Sequence, residues 1–247
     1  MMLIIVYAFV GWLAGIAINH AANILPTRQS LWHLPACAAC GQVYPFWTWS
    51  TLLAWLSGRQ RCPVCGHPRG RLIRSAIIEL ISPLIFAFLF HRYGLSLHLI
   101  LVSLYTSILL LITVTDLEHR LILNYVIFPA ILLALVAAFF TPGLFWPSAL
   151  VGGAAGFVIA YLAALLSRGG LGGGDVTLSA FLGLIIGFPY ILLSLIFGVF
   201  LGGGVALLLL LTRRVGLKSF IPYGPFLTLT GWIMLIWRAE IWQYYFG

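Results

Sequence analysis

Long apolar runs separated by short polar breaks cover most of the chain. A helix crosses the hydrocarbon core of a membrane in about 20 apolar residues, and the pattern predicts eight such helices. The apolar runs fall at residues 2–19, 75–91, 95–115, 123–140, 147–166, 175–188, 190–211 and 222–243. Pro142 with Gly143, Pro189 and residues 213–222 supply breaks between runs, and a glycine-rich turn at 169–174 precedes the sixth and shortest. We therefore expect an all-α, polytopic membrane protein.

The composition agrees with this fold class and defines the division into domains. Hydrophobic residues make up 62% of the chain and charged residues only 7%, against about a quarter charged in an average soluble domain. The one long polar stretch follows the first run. We expect a first transmembrane helix at residues 1–19, a small cytoplasmic module at residues 20–74, and a seven-helix membrane domain at residues 75–247.

The positive charges predict the orientation in the membrane. Short loops rich in Lys and Arg stay in the cytoplasm, and an external amino terminus leaves only Arg92 and Arg238 of the 13 cations outside. The net charge of +8 then reflects topology and contact with anionic membrane lipid. The cations are spread over several loops without a recognisable nucleic-acid-binding module, so we expect no nucleic-acid partner.

The only two aspartates, Asp116 and Asp175, stand at the ends of apolar runs. An acid at membrane depth is a candidate functional residue, because burying its charge costs a few kcal/mol. In the expected topology both lie at the cytoplasmic edge of the bilayer, where they can meet. Two carboxyls sharing a site hold a proton between them, so one can activate water while the other protonates a peptide carbonyl. This pair predicts an aspartic peptidase, and the sequence assigns neither role to a particular aspartate.

Structural readings of both aspartates stay open. The run Gly172-Gly173-Gly174-Asp175 brings a backbone close to the acid, but it also suits tight helix packing with Asp175 as an acid of the first helical turn. Asp116 could make a structural hydrogen bond or form half of a proton relay. The alternative function for the whole chain is therefore a proton-coupled membrane transporter.

All four cysteines lie in the polar stretch after the first run, as Cys37-x-x-Cys40 and Cys62-x-x-Cys65. Each pair forms a tight turn that can direct two thiolates at one tetrahedral ion, which is typical of structural zinc. Disulfides are the alternative, but the expected cytoplasmic location disfavours them. We predict a zinc-binding module whose core is too small to fold readily without the metal.

Taken together, the motifs resemble those of the bacterial type IV prepilin peptidases, which are intramembrane aspartyl proteases of the GxGD type. The resemblance runs almost from end to end. It rests on Gly15-Ile-Ala-Ile-Asn19, the paired cysteine turns, Ile77-Ile78-Glu79-Leu80, Thr115-Asp116-Leu117-Glu118-His119-Arg120, Gly172-Gly173-Gly174-Asp175 and Ile221-Pro222-Tyr223-Gly224-Pro225-Phe226-Leu227.

The resemblance implies a leader peptidase of type IV pilus and type II secretion systems. Its substrates would be prepilins or pseudopilins, cut at the cytoplasmic face of the bacterial inner membrane. Carried over by motif, Asp116 and Asp175 are catalytic, and Cys37, Cys40, Cys62 and Cys65 bind zinc. Many relatives also methylate the new amino terminus, so an S-adenosylmethionine-dependent methyltransferase activity is a further expectation. Glu79 would serve substrate binding or methyl transfer, or be a helix-packing acid.

Overall fold

The computed structural model describes residues 2–28, 30, 32–167, 171–213 and 222–246. Several residues used in the sequence predictions lie outside the described part. These are the loop cations Arg168, Arg214 and Lys218, the loop glycines Gly169 and Gly170, and Ile221 of the last motif.

Within the described residues the chain forms nine α-helices and no β-strand. The helices are α1 (Met2–Ile24), α2 (Thr51–Leu56), α3 (Leu72–Tyr93), α4 (Leu97–His119), α5 (Asn124–Ala137), α6 (Trp146–Leu166), α7 (Gly173–Ile186), α8 (Tyr190–Leu211) and α9 (Gly224–Phe246). Eight of them correspond to the eight apolar runs, and the short α2 lies in the polar stretch. The all-α prediction is confirmed.

Five of these helices are long and apolar enough to cross a membrane. They are α1 with the turn that follows it, α3, α4, α6 and α8. Helices α5 and α7 are apolar but have 14 residues each, a rise of about 21 Å against a hydrocarbon core of about 30 Å. Helix α9 is bent at Trp237, where the backbone leaves the helical region. The chain is a multi-pass membrane protein, and spanning by α5, α7 and α9 stays a prediction.

Contacts divide the chain into two compact units, Met1–Ser103 and Leu104–Gly247. In the first unit, α1 packs against α3 through two glycines. A Cβ atom on Gly11 would lie 2.6 Å from Cβ of Phe86, and one on Gly15 would overlap Oγ of Ser82. These positions are one helical turn apart, so the small residues form a strip along which the backbones approach closely. The predicted domain boundaries at residues 19 and 74 stay a prediction.

In the second unit, the short helix α7 is the most deeply buried element. Its apolar side chains are almost fully enclosed, including Phe181, Leu182, Ile185 and Ile186. Its backbone also meets that of α6 directly, because a Cβ atom on Gly183 would overlap the carbonyl of Gly152 and lie 2.8 Å from the amide nitrogen of Gly153. Residues 180–186 carry no polar side chain, which agrees with burial on all sides of the helix. The packing fixes the start of α7, where Asp175 lies.

We expect Gly183→Ala to destabilise the second unit, because the added methyl group would meet the α6 backbone, which cannot rotate away. Overpacking of this kind typically costs about 1–3 kcal/mol. Gly203→Ala on α8 is the matched control, since a Cβ atom there meets nothing within 4 Å. Thermal unfolding in detergent measures the difference. Equal unfolding temperatures for the two variants would contradict the close α6–α7 contact.

Candidate active site and metal site

Asp116 lies on α4, three residues before its end, and its side chain is buried, with 6% exposed. The Oδ2 atom accepts a hydrogen bond of 3.0 Å from the backbone N–H of Gly224, the first residue of α9. The first N–H groups of a helix lack partners within it and form the positive end of its dipole. The first N–H group of α9 therefore has its hydrogen-bond acceptor in the carboxylate of Asp116.

Only a glycine fits at position 224 in this arrangement. A Cβ atom on Gly224 would lie 2.6 Å from Oδ2 and 3.0 Å from Cγ of Asp116. Gly224 belongs to the motif at residues 221–227 that resembles the family, but its contact with Asp116 was not predicted. The signal that could have found it is the Gly-Pro pair opening the helix, where proline suits the first turn and glycine permits a close approach.

Asp175 is the third residue of α7 and is half-buried. Its Oδ2 atom accepts from the backbone N–H of Gly172 at 3.2 Å, and its own N–H donates to the Gly172 carbonyl at 3.0 Å. This is the acid side of a helix-capping arrangement. The structure thus contains the first-turn contact that the structural reading of Asp175 requires. The carboxylate also keeps partial exposure, which a chemical role requires.

Asp116 and Asp175 both lie in the second unit of the chain. Their carboxylates lie near enough to interact electrostatically, and Tyr223 lies within the same range of Asp175. The start of α7 also packs on the segment that follows α4, because a Cβ atom on Gly174 would lie 2.8 Å from Cβ of Ile122. Two neighbouring carboxyls of this kind can divide the roles of proton acceptor and proton donor between them.

The four cysteines meet in the first unit, in two turns with the same hydrogen bonds. The N–H of Gly41 donates to the carbonyl of Cys37, and the N–H of Gly66 donates to the carbonyl of Cys62, each at 2.9 Å. Both glycines have positive φ angles, +72° and +68°, which only glycine adopts without cost. The repeated turn directs both thiols of each pair to one point.

The sulfur positions suit a single metal ion. All four Sγ atoms lie within 4.8 Å of one another, and the Cys37–Cys65 and Cys40–Cys62 pairs are 3.6 Å apart. A tetrahedral ion with metal–sulfur bonds of about 2.3 Å places its ligands about 3.8 Å apart. The N–H groups of Cys40 and Ala39 directed at Cys37 lower the pKa of that thiol to about 6. The four thiols form no disulfide. The structure therefore has the arrangement expected of a metal site and not that of the alternative disulfides.

Glu79 lies on α3 in the first unit and is fully buried. Its carboxylate accepts hydrogen bonds from Ser50, Thr51 and Leu52 at the start of α2 and from Asn19 on α1. The structure therefore places Glu79 among structural partners of its own unit, as the helix-packing reading of this residue requires.

These observations define a class of protein. It has an all-helical, multi-pass membrane fold, two acids within electrostatic range in one unit and four clustered cysteines in the other. The chain belongs to the type IV leader peptidase family, as the resemblance in its motifs indicates. Residues 103–207 match the model of that family, and residues 9–93 match the bacterial peptidase A24 N-terminal domain. The first match contains both aspartates, and the second contains the four cysteines and Glu79.

Several relatives named prepilin leader peptidase/N-methyltransferase are similar along most of their length. The protein from Aeromonas hydrophila is 30% identical over 207 residues, which cover 78% of this chain and 68% of the relative. The protein from Bacillus subtilis is 28% identical over 86% of this chain and 82% of the relative. The protein from Myxococcus xanthus is 31% identical over 87% of this chain and 66% of the relative. No solved structure gives a significant match.

We expect the purified protein to hold about one metal ion per chain and Cys62→Ser to lose it, because a tetrahedral site needs all four thiolates. Val64→Ala, within the same turn but exposed, is the control and keeps the metal. Elemental analysis of protein in detergent gives the metal-to-protein ratio. An unchanged ratio in Cys62→Ser would mean that the cluster is not the metal site.

Proposed function

We propose that the protein is a membrane-embedded aspartic endopeptidase that removes the leader from type IV prepilins or type II secretion pseudopilins. The observation that carries the proposal is that Asp116 and Asp175 lie within electrostatic range of each other in the second unit. Both belong to the residues that match the leader peptidase family. The names of the relatives supply the substrate class.

The two neighbouring aspartates suggest how the peptide bond is broken. One aspartate, ionised, takes a proton from a water molecule that attacks the scissile carbonyl. The other, protonated, gives its proton to the carbonyl oxygen, and the proton held by the first then passes to the leaving amine. The reaction consumes one water and forms no covalent intermediate. The N–H of Gly224 keeps one oxygen of Asp116 fixed, which orients the carboxylate before substrate arrives.

The topology supports a site on the cytoplasmic side of the bacterial inner membrane. With the amino terminus outside, the cations are concentrated in cytoplasmic loops. Asp116 near the end of α4 and Asp175 at the start of α7 then lie at the cytoplasmic edge of the bilayer. The apolar helix of a prepilin could approach such a site sideways through the membrane, while its positively charged leader stays in the cytoplasm.

Two cofactors belong to the proposal. The four-thiolate set suits zinc, which takes tetrahedral sulfur ligands in structural sites. Cys37, Cys40, Cys62 and Cys65 would hold it, and the ion would supply folding energy to the module. The relatives' names include N-methyltransferase, so methylation of the new amino terminus with S-adenosylmethionine is a second proposed activity. A role for Glu79 in substrate binding or methyl transfer is one hypothesis for that residue.

We expect Asp116→Asn and Asp175→Asn each to reduce leader cleavage by several orders of magnitude, because an amide neither takes nor supplies the proton. Glu240→Gln, an exposed acid on α9, is the matched control and should cut normally. The assay is cleavage of a prepilin in membranes, with mass spectrometry of the product's amino terminus.

Thermal unfolding in detergent, measured on the same preparations, reports whether the second unit of each variant is folded, and metal content reports on the first unit. Normal cutting by either aspartate variant would contradict the peptidase mechanism. A proton-coupled transporter would then be the better reading, and proton uptake into vesicles would test it. A mass increase of one methyl group in the wild-type product would establish the second activity.

We expect Gly224→Ala to lower the turnover number for leader cleavage about a hundredfold, because a displacement of about 1 Å at a reacting group can cost that much. The added methyl group would displace the Asp116 carboxylate, whereas substrate binding should change little. Gly203→Ala, where a Cβ atom is free of contacts, should keep wild-type turnover. Steady-state kinetics separates the two effects, and a change in KM alone would contradict the placement of Gly224 beside the reacting acid.

A further inference from the structure

We propose that Glu79 is a positioning residue that anchors the metal-binding module to the α1–α3 helix pair, and that metal retention depends on this anchor. The metal-binding module is here residues 28–71, between α1 with its terminal turn and α3. This inference does not rest on the proposed peptidase function, because it concerns the first unit alone.

On one side, the Glu79 carboxylate caps the start of α2. Its Oε2 atom accepts from Oγ of Ser50 at 2.6 Å and from the N–H of Leu52 at 3.1 Å, and its Oε1 atom accepts from the N–H of Thr51 at 2.8 Å. Thr51 and Leu52 are the first two residues of α2. A buried carboxylate with several donors forms strong, charge-assisted hydrogen bonds. Glu79 therefore holds the middle of the module from the side of α3.

On the other side, the same carboxylate is tied to α1. The amide nitrogen of Asn19 donates to Oε1 of Glu79 at 3.3 Å and to the carbonyl of Ser75 at 2.9 Å. Arg74 donates to the amide oxygen of Asn19 at 3.2 Å. These bonds lie beyond the glycine strip of Gly11 and Gly15, where α1 and α3 already approach closely. The network thus joins three elements, α1, α3 and α2, at one buried acid.

The position of α2 in the chain connects this anchor to the metal. The 21 residues between Cys40 and Cys62 contain α2, so a bound metal fixes both ends of the segment and Glu79 fixes its middle. A helix of six residues is unstable alone and needs such a cap. The bound metal and the Glu79 hydrogen bonds both form only in the folded module. Each therefore stabilises the folded module and, by linkage, strengthens the other. Loss of the anchor should therefore weaken the hold on the metal.

The burial of Glu79 separates this role from one in substrate binding or methyl transfer. The residue is 0% exposed, and both of its oxygen atoms accept hydrogen bonds from the module. A ligand could reach the carboxylate only if α2 left its place.

The test compares Glu79→Gln with Glu240→Gln in the full-length protein in detergent. Metal release to the chromogenic chelator 4-(2-pyridylazo)resorcinol should be about tenfold faster in Glu79→Gln. Its amide nitrogen would face a donor from α2, and a buried donor left without an acceptor destabilises the folded module. Trypsin cleavage after the exposed residues Arg59 and Arg61 should accelerate as well, because the segment that carries them is released. Glu240→Gln should match wild type in both assays.

A second variant keeps the proposal testable if Glu79→Gln does not fold. Thr51→Pro removes the N–H that donates to Oε1 of Glu79 and leaves the carboxylate itself in place, although the threonine hydroxyl is lost as well. Proline is well tolerated at the first position of a helix, and Ser50 before it is already extended, with φ −71° and ψ 130°. Metal release should accelerate here too, though less than in Glu79→Gln. Wild-type release and trypsin rates in Thr51→Pro or in a folded Glu79→Gln protein would overturn the proposal. Selective loss of methylation in Glu79→Gln with those rates unchanged would assign the residue to methyl transfer.

Discussion

A carboxylate near the hydrocarbon region must find its hydrogen-bond donors inside the protein, and this constraint shapes the surroundings of Asp116, Asp175 and Glu79. In three cases the donors are backbone N–H groups at or next to the start of a helix. Asp116 accepts from the start of α9, Asp175 from the residue before α7, and Glu79 from the start of α2. Free N–H groups at helix starts need acceptors just as buried acids need donors. Pairing them satisfies both and fixes which helix begins beside which acid.

The pairing of a buried acid with a helix start has a different result in each unit. In the second unit it holds two acids that lie within electrostatic range of each other, and these are the acids proposed to transfer protons. In the first it closes one acid off completely, in an arrangement suited to holding a small module whose own core is slight. The division agrees with the family matches, which cover the two parts separately. The same kind of contact would therefore serve chemistry in one unit and assembly in the other, if the proposed roles are right.

The sequence predicted the elements well and their contacts less well. Eight apolar runs marked eight helices because the lipid requirement for apolar side chains acts on each helix separately. The cysteine spacing predicted the four-thiol cluster because each turn is local. The N–H of Gly224 beside Asp116 was not predicted, since it joins residues 108 positions apart. Likewise, the short apolar run of α7 reveals burial on all sides only when the α6 backbone is seen against it.

The burial of Glu79 also has a consequence for genetics. A screen that scores only pilus assembly or secretion would return Glu79 beside the two aspartates, because each change would yield the same negative phenotype. In the roles proposed above, a change at Glu79 first weakens the hold on the module, whereas a change at either aspartate first stops proton transfer. Suppressor mutations should separate them. A second-site change that tightens the cysteine turns could restore a Glu79 variant, whereas no change in that part of the chain could replace a missing aspartate.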